Sequence, residues 1–250
     1  TVTISPPSTN IAAGGSVRYR VSYTDANFQS STLAAGQVTL NKTGTANGMV
    51  AVSGSGATRT VTISAITGDG SLGISIAAGS ATDKAGNTAP TAGPSATFIV
   101  DNTAPTVTIS APSTTITASS AVSYTVSYAD ANFQSSTLSA ANVTLNRTGT
   151  ANGTMNVSGN GTTRTVIITG ITGDGTLGIS IAAGTASDRV NNLALAAGPS
   201  RTFAVGNTPP TVSISAPSTN GNTITYTVSY DGANGTTVTL SANDITLNKT

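Results

Sequence analysis

An internal repeat of 105 residues is the feature that most restricts how this chain can fold. Residues 1–105 align without a gap on residues 106–210, and 71 of the 105 aligned positions hold the same residue. A third copy begins at Thr211 and has lost three residues before Tyr226. Because solenoid repeats are only about 20–50 residues long, a repeat of this length is expected to be a domain with its own core. The sequence therefore predicts three domains: residues 1–105, residues 106–210 and an incomplete unit, residues 211–250.

Within each repeat, apolar residues alternate with polar ones along seven short stretches. In the first repeat these stretches are Val2–Ile4, Val17–Tyr23, Val38–Leu40, Val50–Val52, Val61–Ile63, Leu72–Ile76 and Phe98–Val100. A period of two is typical of strands that bury one face, and residues typical of turns separate the stretches. Seven strands in about 100 residues are typical of an immunoglobulin-like sandwich. The predicted fold is all-β, with tandem seven-stranded immunoglobulin-like β-sandwiches arranged end to end.

The inward-facing apolar residues of these strands predict the core of each repeat. We expect the following residues, and their counterparts 105 positions later, to be buried together: Tyr19, Val21, Ile63, Ile74 and Phe98. The third unit carries the residues of the first three strands only. Without the other half of a sandwich its apolar side chains would stay in water, so we expect this unit not to fold by itself.

The composition excludes several classes of function. The chain contains no His, Cys, Trp or Glu, so all nine acidic residues are Asp. Zinc, haem and thiol chemistry therefore lack their usual ligands, and aspartates on tight turns rarely form a catalytic cleft, so we predict no enzyme. A net charge of +1 without a run of Lys or Arg gives no basic surface for nucleic acid, and no apolar stretch could span a bilayer. The chain begins in a strand-like segment without Met, and we interpret it as a portion of a longer protein.

Two motifs in the chain resemble those of a known family. The segments Asp101–Ser110 (DNTAPTVTIS) and Ile74–Asn87 (ISIAAGSATDKAGN) resemble bacterial immunoglobulin-like tandem repeats, which form the stalks of large surface proteins and adhesins. The resemblance implies an extracellular or cell-surface location and a spacing or adhesive role, often with calcium at the junctions between repeats. We therefore predict a structural stalk that extends a distal adhesive element, with the neighbouring repeats of the same chain as its partners.

Four aspartates are candidates for a calcium site where the first two repeats join. Immunoglobulin-like connectivity places Asp69 and Asp101 at the lower end of the first repeat. The same connectivity places Asp130 and Asp188 at the upper end of the second repeat, and calcium requires about six to eight oxygen ligands of this kind. The alternative is that no metal binds, because Asp is common in turns, where its side chain caps local backbone groups. Gly206 replaces Asp101 one repeat later, so we expect weaker calcium binding or none there.

Two other functions stay open at this point. Copies of the chain could associate laterally into a filament, because the outer faces of the strands are rich in uncharged Ser and Thr. The loops Asp25–Ser31 and Asp83–Pro90 could instead bind a carbohydrate or a host protein. Carbohydrate sites usually present exposed aromatic rings, however, and aromatic residues make up only 4% of this chain. We expect the loop residues Phe28 and Phe133 to pack against the core.

Four arginines occupy strand positions that could carry a function. Arg59 and Arg164 match across the two repeats, at the start of the fifth predicted strand. We interpret them as edge cations, which discourage pairing between the sheets of neighbouring molecules. Arg18 and Arg20 lie on the outer face of the second predicted strand, but the second repeat has Ser and Thr there, so they predict no function shared by both repeats.

Overall fold

The regular structure of the chain is almost entirely β-strand. The computed structural model describes residues 1–232 and 237–248, whose helical elements are three single-turn 3-10 segments, Ala35–Gln37, Ala140–Asn142 and Ala242–Asp244. In these two ranges no helix has the length and apolar character that crossing a bilayer requires. The predicted fold class, all-β with tandem immunoglobulin-like sandwiches, is confirmed.

The first repeat forms two four-stranded sheets and a short ribbon. Its strands are β1 (Val2–Ile4), β2 (Ile11–Ala12), β3 (Ser16–Tyr23), β4 (Phe28–Ser31), β5 (Val38–Gly44), β6 (Asn47–Ser53), β7 (Thr58–Thr67), β8 (Gly70–Ile76), β9 (Ala81–Asp83) and β10 (Phe98–Val100). One sheet has the order β1-β3-β7-β6 and the other the order β2-β10-β8-β5, as in immunoglobulin domains. The seven predicted strands are all present. The additional strands are β2, which runs parallel to β10, and the pair β4 and β9, which form the ribbon.

The second repeat has the same arrangement of strands. These are β11 (Thr106–Ile109), β12 (Ile116–Thr117), β13 (Val122–Ala129), β14 (Phe133–Ser136), β15 (Val143–Arg147), β16 (Asn152–Asn160), β17 (Thr163–Thr172), β18 (Gly175–Ile181), β19 (Ala186–Asp188) and β20 (Phe203–Val205). Its sheets have the orders β11-β13-β17-β16 and β12-β20-β18-β15, and β14 pairs with β19. Each sheet order matches its counterpart in the first repeat.

The two sheets of each repeat enclose an apolar core, because alternate residues of each strand point to the same face. In the first repeat the predicted core residues are each at most 1% exposed: Tyr19, Val21, Ile63, Ile74 and Phe98. Their counterparts in the second repeat are equally buried: Tyr124, Val126, Ile168, Ile179 and Phe203. The predicted core is therefore confirmed.

A tyrosine in each core satisfies its buried hydroxyl with backbone carbonyls. The hydroxyl of Tyr19 donates to the carbonyls of Ala96 over 2.9 Å and Leu72 over 3.3 Å. The hydroxyl of Tyr124 donates to the carbonyl of Arg201 over 2.9 Å. Burial raises the pKa of both phenols above the ordinary value, so they stay neutral donors.

The chain divides into two compact units, and the first one contains residues of both repeats. It consists of Thr1–Thr106, Ala129–Ser135 and Ala186–Ala194. The second unit consists of Val107–Tyr128, Ser136–Thr185 and Leu195–Thr250. Two loops of the second repeat thus belong to the first unit, and the domain boundaries at residues 105 and 210 stay predictions.

The segment that follows residue 210 forms two-stranded ribbons and no sandwich in its described part. Strand β21 (Thr211–Ile214) pairs with β24 (Val228–Asp231), and β22 (Ser218–Asn220) pairs with β23 (Thr223–Thr225). Of the seven apolar side chains that we expected to lack a core here, five are more than half exposed: Val212, Ile214, Tyr226, Ile245 and Leu247. The other two, Val228 and Tyr230 on β24, are partly buried. The third predicted strand, around Ile245 and Leu247, does not form within the described residues. Residues 233–236 and 249–250 of the predicted third unit lie outside the described residues.

The interpretation of Arg59 and Arg164 as edge cations is wrong. Arg59 lies on β7, which has β3 on one side and β6 on the other, so it is not on an edge strand. Its guanidinium donates to the backbone carbonyls of Leu33 over 2.8 Å and Ser31 over 3.1 Å. Arg164 makes the equivalent hydrogen bonds in the second repeat. Each arginine therefore holds the end of the ribbon strand β4 or β14, and the residues after it, against a sheet.

Phe28, the first residue of β4, packs against the core of the first repeat. Its ring stacks on that of Tyr23, with the two ring centroids 6.3 Å apart. Stacked aromatic pairs of this kind stabilise a core beyond the area that they bury. The predicted packing role of Phe28 is therefore confirmed.

A buried hydrogen bond distinguishes the two repeats and leads to a first prediction. In the second repeat the hydroxyl of Tyr128 donates to Thr185 Oγ1 over 3.0 Å. In the first repeat the buried hydroxyls of Tyr23 and Ser80 have no hydrogen-bond partner among the described residues. Thr carries the same hydroxyl as Ser but has fewer favoured χ1 rotamers, so we expect Ser80→Thr to place this hydroxyl as Thr185 does and to form the missing bond with Tyr23. The free energy of unfolding of the first repeat should then rise by about 1 kcal/mol, measured by urea denaturation.

The reverse substitution is the control for this prediction. Thr185→Ser should lower the stability of the second repeat by a similar amount, because it recreates the arrangement of the first repeat. Stability that is the same in both variants as in the wild type would contradict the prediction.

Candidate metal centre

Three aspartate carboxylates from distant parts of the sequence meet in the first compact unit. One carboxylate oxygen each of Asp101, Asp130 and Asp188 lies within 4.8 Å of the other two. Asp101 follows β10, Asp130 follows β13 and Asp188 is the last residue of β19. Asp101 and Asp188 are buried, with 6% and 0% of their surface exposed. We call these three residues the aspartate cluster.

The pairing of β2 with β10 determines where the carboxylate of Asp101 lies. The backbone N–H of Asp101 donates to the carbonyl of Ala12 in β2 over 3.0 Å, which continues the pairing beyond the end of β10. The carboxylate accepts hydrogen bonds from the backbone N–H of Thr103 over 3.2 Å and from Asn132 Nδ2 over 2.6 Å. Asp101 is thus held by its own strand and by a loop of the second repeat.

Asp130 and Asp188 are oriented by the turns in which they lie. Asp130 Oδ1 accepts the backbone N–H of Asn132 over 2.6 Å. Asp188 Oδ1 accepts the backbone N–H groups of Val190 and Asn192, both over 2.9 Å, and its Oδ2 accepts Asn192 Nδ2 over 2.7 Å. Asp commonly forms such bonds with backbone groups a few residues ahead. The same carboxylates therefore cap their turns and contribute an oxygen to the cluster.

Two asparagines that were not among the predicted site residues bind the segment after β10. Asn132 Nδ2 donates to the carboxylate of Asp101, as described above. Asn192 Nδ2 donates to the backbone carbonyls of Asp101 over 3.1 Å and Thr103 over 3.4 Å. The signal that could have identified them is the pattern Asp-x-Asn in one loop and Asp-x-x-x-Asn in the other, which occurs in both repeats.

The electrostatics of the aspartate cluster favour a bound cation. Carboxylates this close repel one another, and burial strengthens the repulsion because the protein interior screens charge poorly. The hydrogen-bond donors to the three carboxylates are uncharged amides. Calcium binds oxygens at about 2.3–2.6 Å, so two of its ligands can lie up to about 5 Å apart. The spacing of the cluster and its all-oxygen ligands therefore fit calcium.

Asp69, the fourth predicted ligand, is not part of this cluster. Its carboxylate accepts the backbone N–H of Asn102 over 2.7 Å and the hydroxyl of Thr103 over 3.0 Å. Asp69 therefore positions the segment that follows Asp101. A cavity of about 390 Å³ lies at this place, and Asp69, Asp101 and Asp130 contribute to its lining.

In the second repeat, Gly206–Thr208 aligns with Asp101–Thr103 of the first. The local hydrogen bonds of this segment are kept, but the carboxylate of Asp101 is missing because Gly206 takes its place. Asp174 accepts the backbone N–H of Asn207 over 2.8 Å and the hydroxyl of Thr208 over 2.6 Å. The hydroxyl of Thr208, followed by the backbone N–H groups of Thr208 and Asn207, holds the pKa of Asp174 below its ordinary value. Gly206–Thr208 is therefore held by Asp174 as Asp101–Thr103 is held by Asp69, but it has no carboxylate at residue 206 that could bind a metal ion.

No family model and no curated protein sequence matches the chain. Among solved structures, the Escherichia coli adhesin FdeC is 17% identical, with 96% of this chain and 75% of that one covered and a TM-score of 0.39. The Yersinia pseudotuberculosis adhesin InvE is 13% identical, with 82% and 58% covered and a TM-score of 0.25. Murine CEACAM1b is also 13% identical, with 82% and 98% covered and a TM-score of 0.25. Two of these three proteins are thus bacterial adhesins, and at these identities the likeness concerns the fold alone.

Proposed function

We propose that this chain is a structural segment of the stalk of a large bacterial cell-surface protein, and that calcium bound by the aspartate cluster stiffens it. In this proposal the chain is an extracellular spacer that carries a distal adhesive element and catalyses no reaction. Its partners are the neighbouring repeats of the same protein.

The burial of Asp101 beside Asp130 and Asp188 is the observation that carries this proposal. Without a counter-charge, buried carboxylates whose oxygens lie within 4.8 Å of one another destabilise a fold. A calcium ion would instead join the segment after β10 to two loops of the second repeat, and its binding energy would add to the stability of that arrangement. Extracellular modules bind calcium with dissociation constants of about 10⁻⁴–10⁻³ M, so the aspartate cluster needs only an affinity in this range to act as an extracellular calcium site.

The hydrogen bonds of the linker also support a spacer. The segment between β10 and β11 is bound by Asp69 on one side and by Asn192 on the other. It contains Pro105, which restricts the backbone further. A short linker that is held in this way resists bending, as a stalk requires.

We expect Asp101→Asn to abolish calcium binding at the aspartate cluster. The substitution removes one of three negative charges and keeps the size and shape of the side chain. Isothermal titration calorimetry on the whole chain should give about one calcium ion per wild-type molecule and none for the variant. Calcium should also raise the unfolding temperature of the wild-type protein and leave that of the variant unchanged.

Asp174→Asn is the matched control, because Asp174 is bound by Asn207 and Thr208 and lies outside the aspartate cluster. This control should bind calcium like the wild type. Calcium binding of wild-type strength in the Asp101→Asn protein would contradict the proposed metal site.

The two alternative functions predict different results. A filament subunit would assemble with rising concentration in analytical ultracentrifugation, whereas a spacer of this kind stays monomeric. A carbohydrate-binding module would give a specific signal on a glycan array. The stacking of Phe28 on Tyr23 favours the spacer, because it engages the aromatic ring that a sugar would need.

A further inference from the structure

One sheet of the first repeat carries two arginines on its outer face and no acidic residue in its four strands. Arg18 and Arg20 are exposed residues of β3, and the alternation along the strand turns both away from the core. The neighbouring strands β1, β7 and β6 contain no Asp, and their one cation is Arg59. Its guanidinium is held by the carbonyls of Leu33 and Ser31. We call the outer face of the sheet β1-β3-β7-β6 the arginine face.

Each arginine of this face lies beside a threonine of the next strand. In the register of β3 with β7, Arg18 is opposite Thr62 and Arg20 is opposite Thr60. Directly opposite residues of an antiparallel pair have Cβ atoms about 4.5–5.5 Å apart, so a guanidinium and the hydroxyl beside it can bind the same ligand group. The arginine face therefore holds two rows, each with one guanidinium and one hydroxyl.

The polar groups of both rows are available to a ligand. Within residues 1–232 and 237–248, the guanidinium groups of Arg18 and Arg20 make no hydrogen bond and no ion pair, and the hydroxyls of Thr60 and Thr62 make no hydrogen bond. In a chain in which only 8% of the residues are charged, two such cations produce a local positive potential that no acid of the same sheet cancels. The arginine face therefore attracts anions.

The second repeat builds the same sheet without these groups. The strand order of its sheet β11-β13-β17-β16 matches that of the first repeat. Ser123 and Thr125 occupy the places of the two arginines, and Ile167 occupies that of Thr62. Because this sheet forms without the arginines, the fold does not require them, and a role in binding accounts for their presence in one repeat.

The distance between the two rows indicates what kind of anion fits. Arg18 and Arg20 are two residues apart on one strand, which separates their Cα atoms by about 7 Å. A guanidinium binds the oxygens of an anionic group through a planar pair of N–H donors. Two rows at this distance therefore suit an extended polymer that carries anionic groups at a similar interval.

The side chains around the rows favour a polysaccharide over single-stranded nucleic acid. Single strands stack their bases on aromatic side chains. The aromatic residues of the four strands, Tyr19 and Tyr23, are both buried in the core. The outer positions are mostly Ser and Thr, whose hydroxyls can bind the hydroxyl and ester groups of a polysaccharide. The choice of a sulfated polymer, which a protein meets outside the cell, rests on the proposed extracellular location.

We propose that the arginine face binds a sulfated polysaccharide. Arg18 and Thr62 hold one sulfate group, and Arg20 and Thr60 hold another. This contact acts through charge and needs no aromatic ring, unlike a site for neutral sugars. It gives the spacer an attachment along its side that is independent of the aspartate cluster.

Heparin, a highly sulfated polysaccharide, is the probe for this inference. Its binding to the whole chain is measured by surface plasmon resonance, with a chelator present so that calcium has no part in the result. The double variant Arg18→Ser, Arg20→Thr copies the second repeat, and we expect it to weaken binding by about tenfold or more. Its logarithmic dependence of affinity on NaCl concentration should be less steep by about two, because two fewer cations displace counterions.

The matched control removes two positive charges from other sheets. Lys42 on β5 and Arg147 on β15 are exposed and equivalent in the two repeats. The double variant Lys42→Ser, Arg147→Ser has the same net charge as the arginine variant and should bind heparin like the wild type. An equal loss of binding in both double variants would overturn the inference, because net charge would then explain the effect.

A gain of binding in the second repeat is the complementary test. The substitutions Ser123→Arg, Thr125→Arg and Ile167→Thr, added to the arginine variant, recreate both rows there and should restore heparin binding. Desulfated heparin should bind the wild type at least about tenfold more weakly than heparin does. Failure of the wild type to bind heparin would overturn the inference, as would equal binding of desulfated heparin or tighter binding of a thymidine oligonucleotide. None of these results bears on calcium binding, so the proposed function is tested separately.

Discussion

Ile74→Ala is expected to lower the free energy of unfolding of the first repeat by about 2–5 kcal/mol. Ile74 lies on β8, is 0% exposed and belongs to the same core cluster as Tyr19 and Phe98. Its truncation leaves a cavity that the close-packed neighbours fill only in part. We expect the second repeat to unfold almost unchanged, because residues without shared contacts affect stability independently. Urea denaturation, followed by amide resonances of each repeat, measures both effects.

Two further variants are compared with Ile74→Ala. Ile179→Ala is the equivalent change in the second repeat and should destabilise that repeat by a similar amount. Ile99→Ala is the control, because Ile99 is 47% exposed and its truncation should cost about 0.5 kcal/mol or less. An equal loss of stability in both repeats after Ile74→Ala would show that the two cores are not independent.

Arg59→Met is expected to destabilise the first repeat by about 1–3 kcal/mol. Methionine keeps the apolar stem of the side chain but leaves the carbonyls of Leu33 and Ser31 without their donor. Leu33 is only 1% exposed, so water does not readily replace the guanidinium there. Arg59→Lys should restore part of the loss, because a single ammonium group cannot reproduce the planar fork of the guanidinium. Urea denaturation again provides the measurement.

Arg18→Met is the control for this experiment. Arg18 is exposed on the outer face of β3, and its guanidinium donates no hydrogen bond within residues 1–232 and 237–248. Its replacement should change stability little. If Arg18→Met and Arg59→Met destabilised the protein equally, the loss of positive charge and not the loss of the carbonyl contacts would explain the effect.

Seven of the eight sheet strands in each repeat could be predicted from the sequence, because apolar and polar residues alternate along them. The ribbon strand β4 could not be predicted in this way. Its residues Phe28–Ser31 include a single apolar side chain, and the hydrogen bonds from Arg59 on β7 help to fix its position. The role of Arg59 was missed for the same reason, since it depends on a contact between residues far apart in the sequence.

Three of the four aspartates proposed as ligands could be predicted to lie together because strand order determines which loops share one end of a sandwich. Asp69 also lies at this end of the first repeat, but its carboxylate accepts a hydrogen bond from the backbone N–H of Asn102 and does not join the other three. Strand order does not predict such a side-chain contact. Asn132 and Asn192 were missed because Asn is common in turns whether or not it binds a neighbouring segment. Only the side-chain hydrogen bonds of Asn132 and Asn192 in the structure show that these two residues bind the segment after β10.

The parallel pairing of β2 with β10 has a mechanical consequence for a spacer. Ile11 pairs with Ile99 and Ala12 with Val100, close to the two ends of the first repeat. A force that pulls these ends apart draws the two strands past each other in opposite directions. Their hydrogen bonds are then loaded in shear and must break together, whereas those of a hairpin pulled open from one end break one by one. In the proposed spacer, resistance to tension is a matter of the rate of forced unfolding, and we expect the breaking of this short pair of strands to limit that rate.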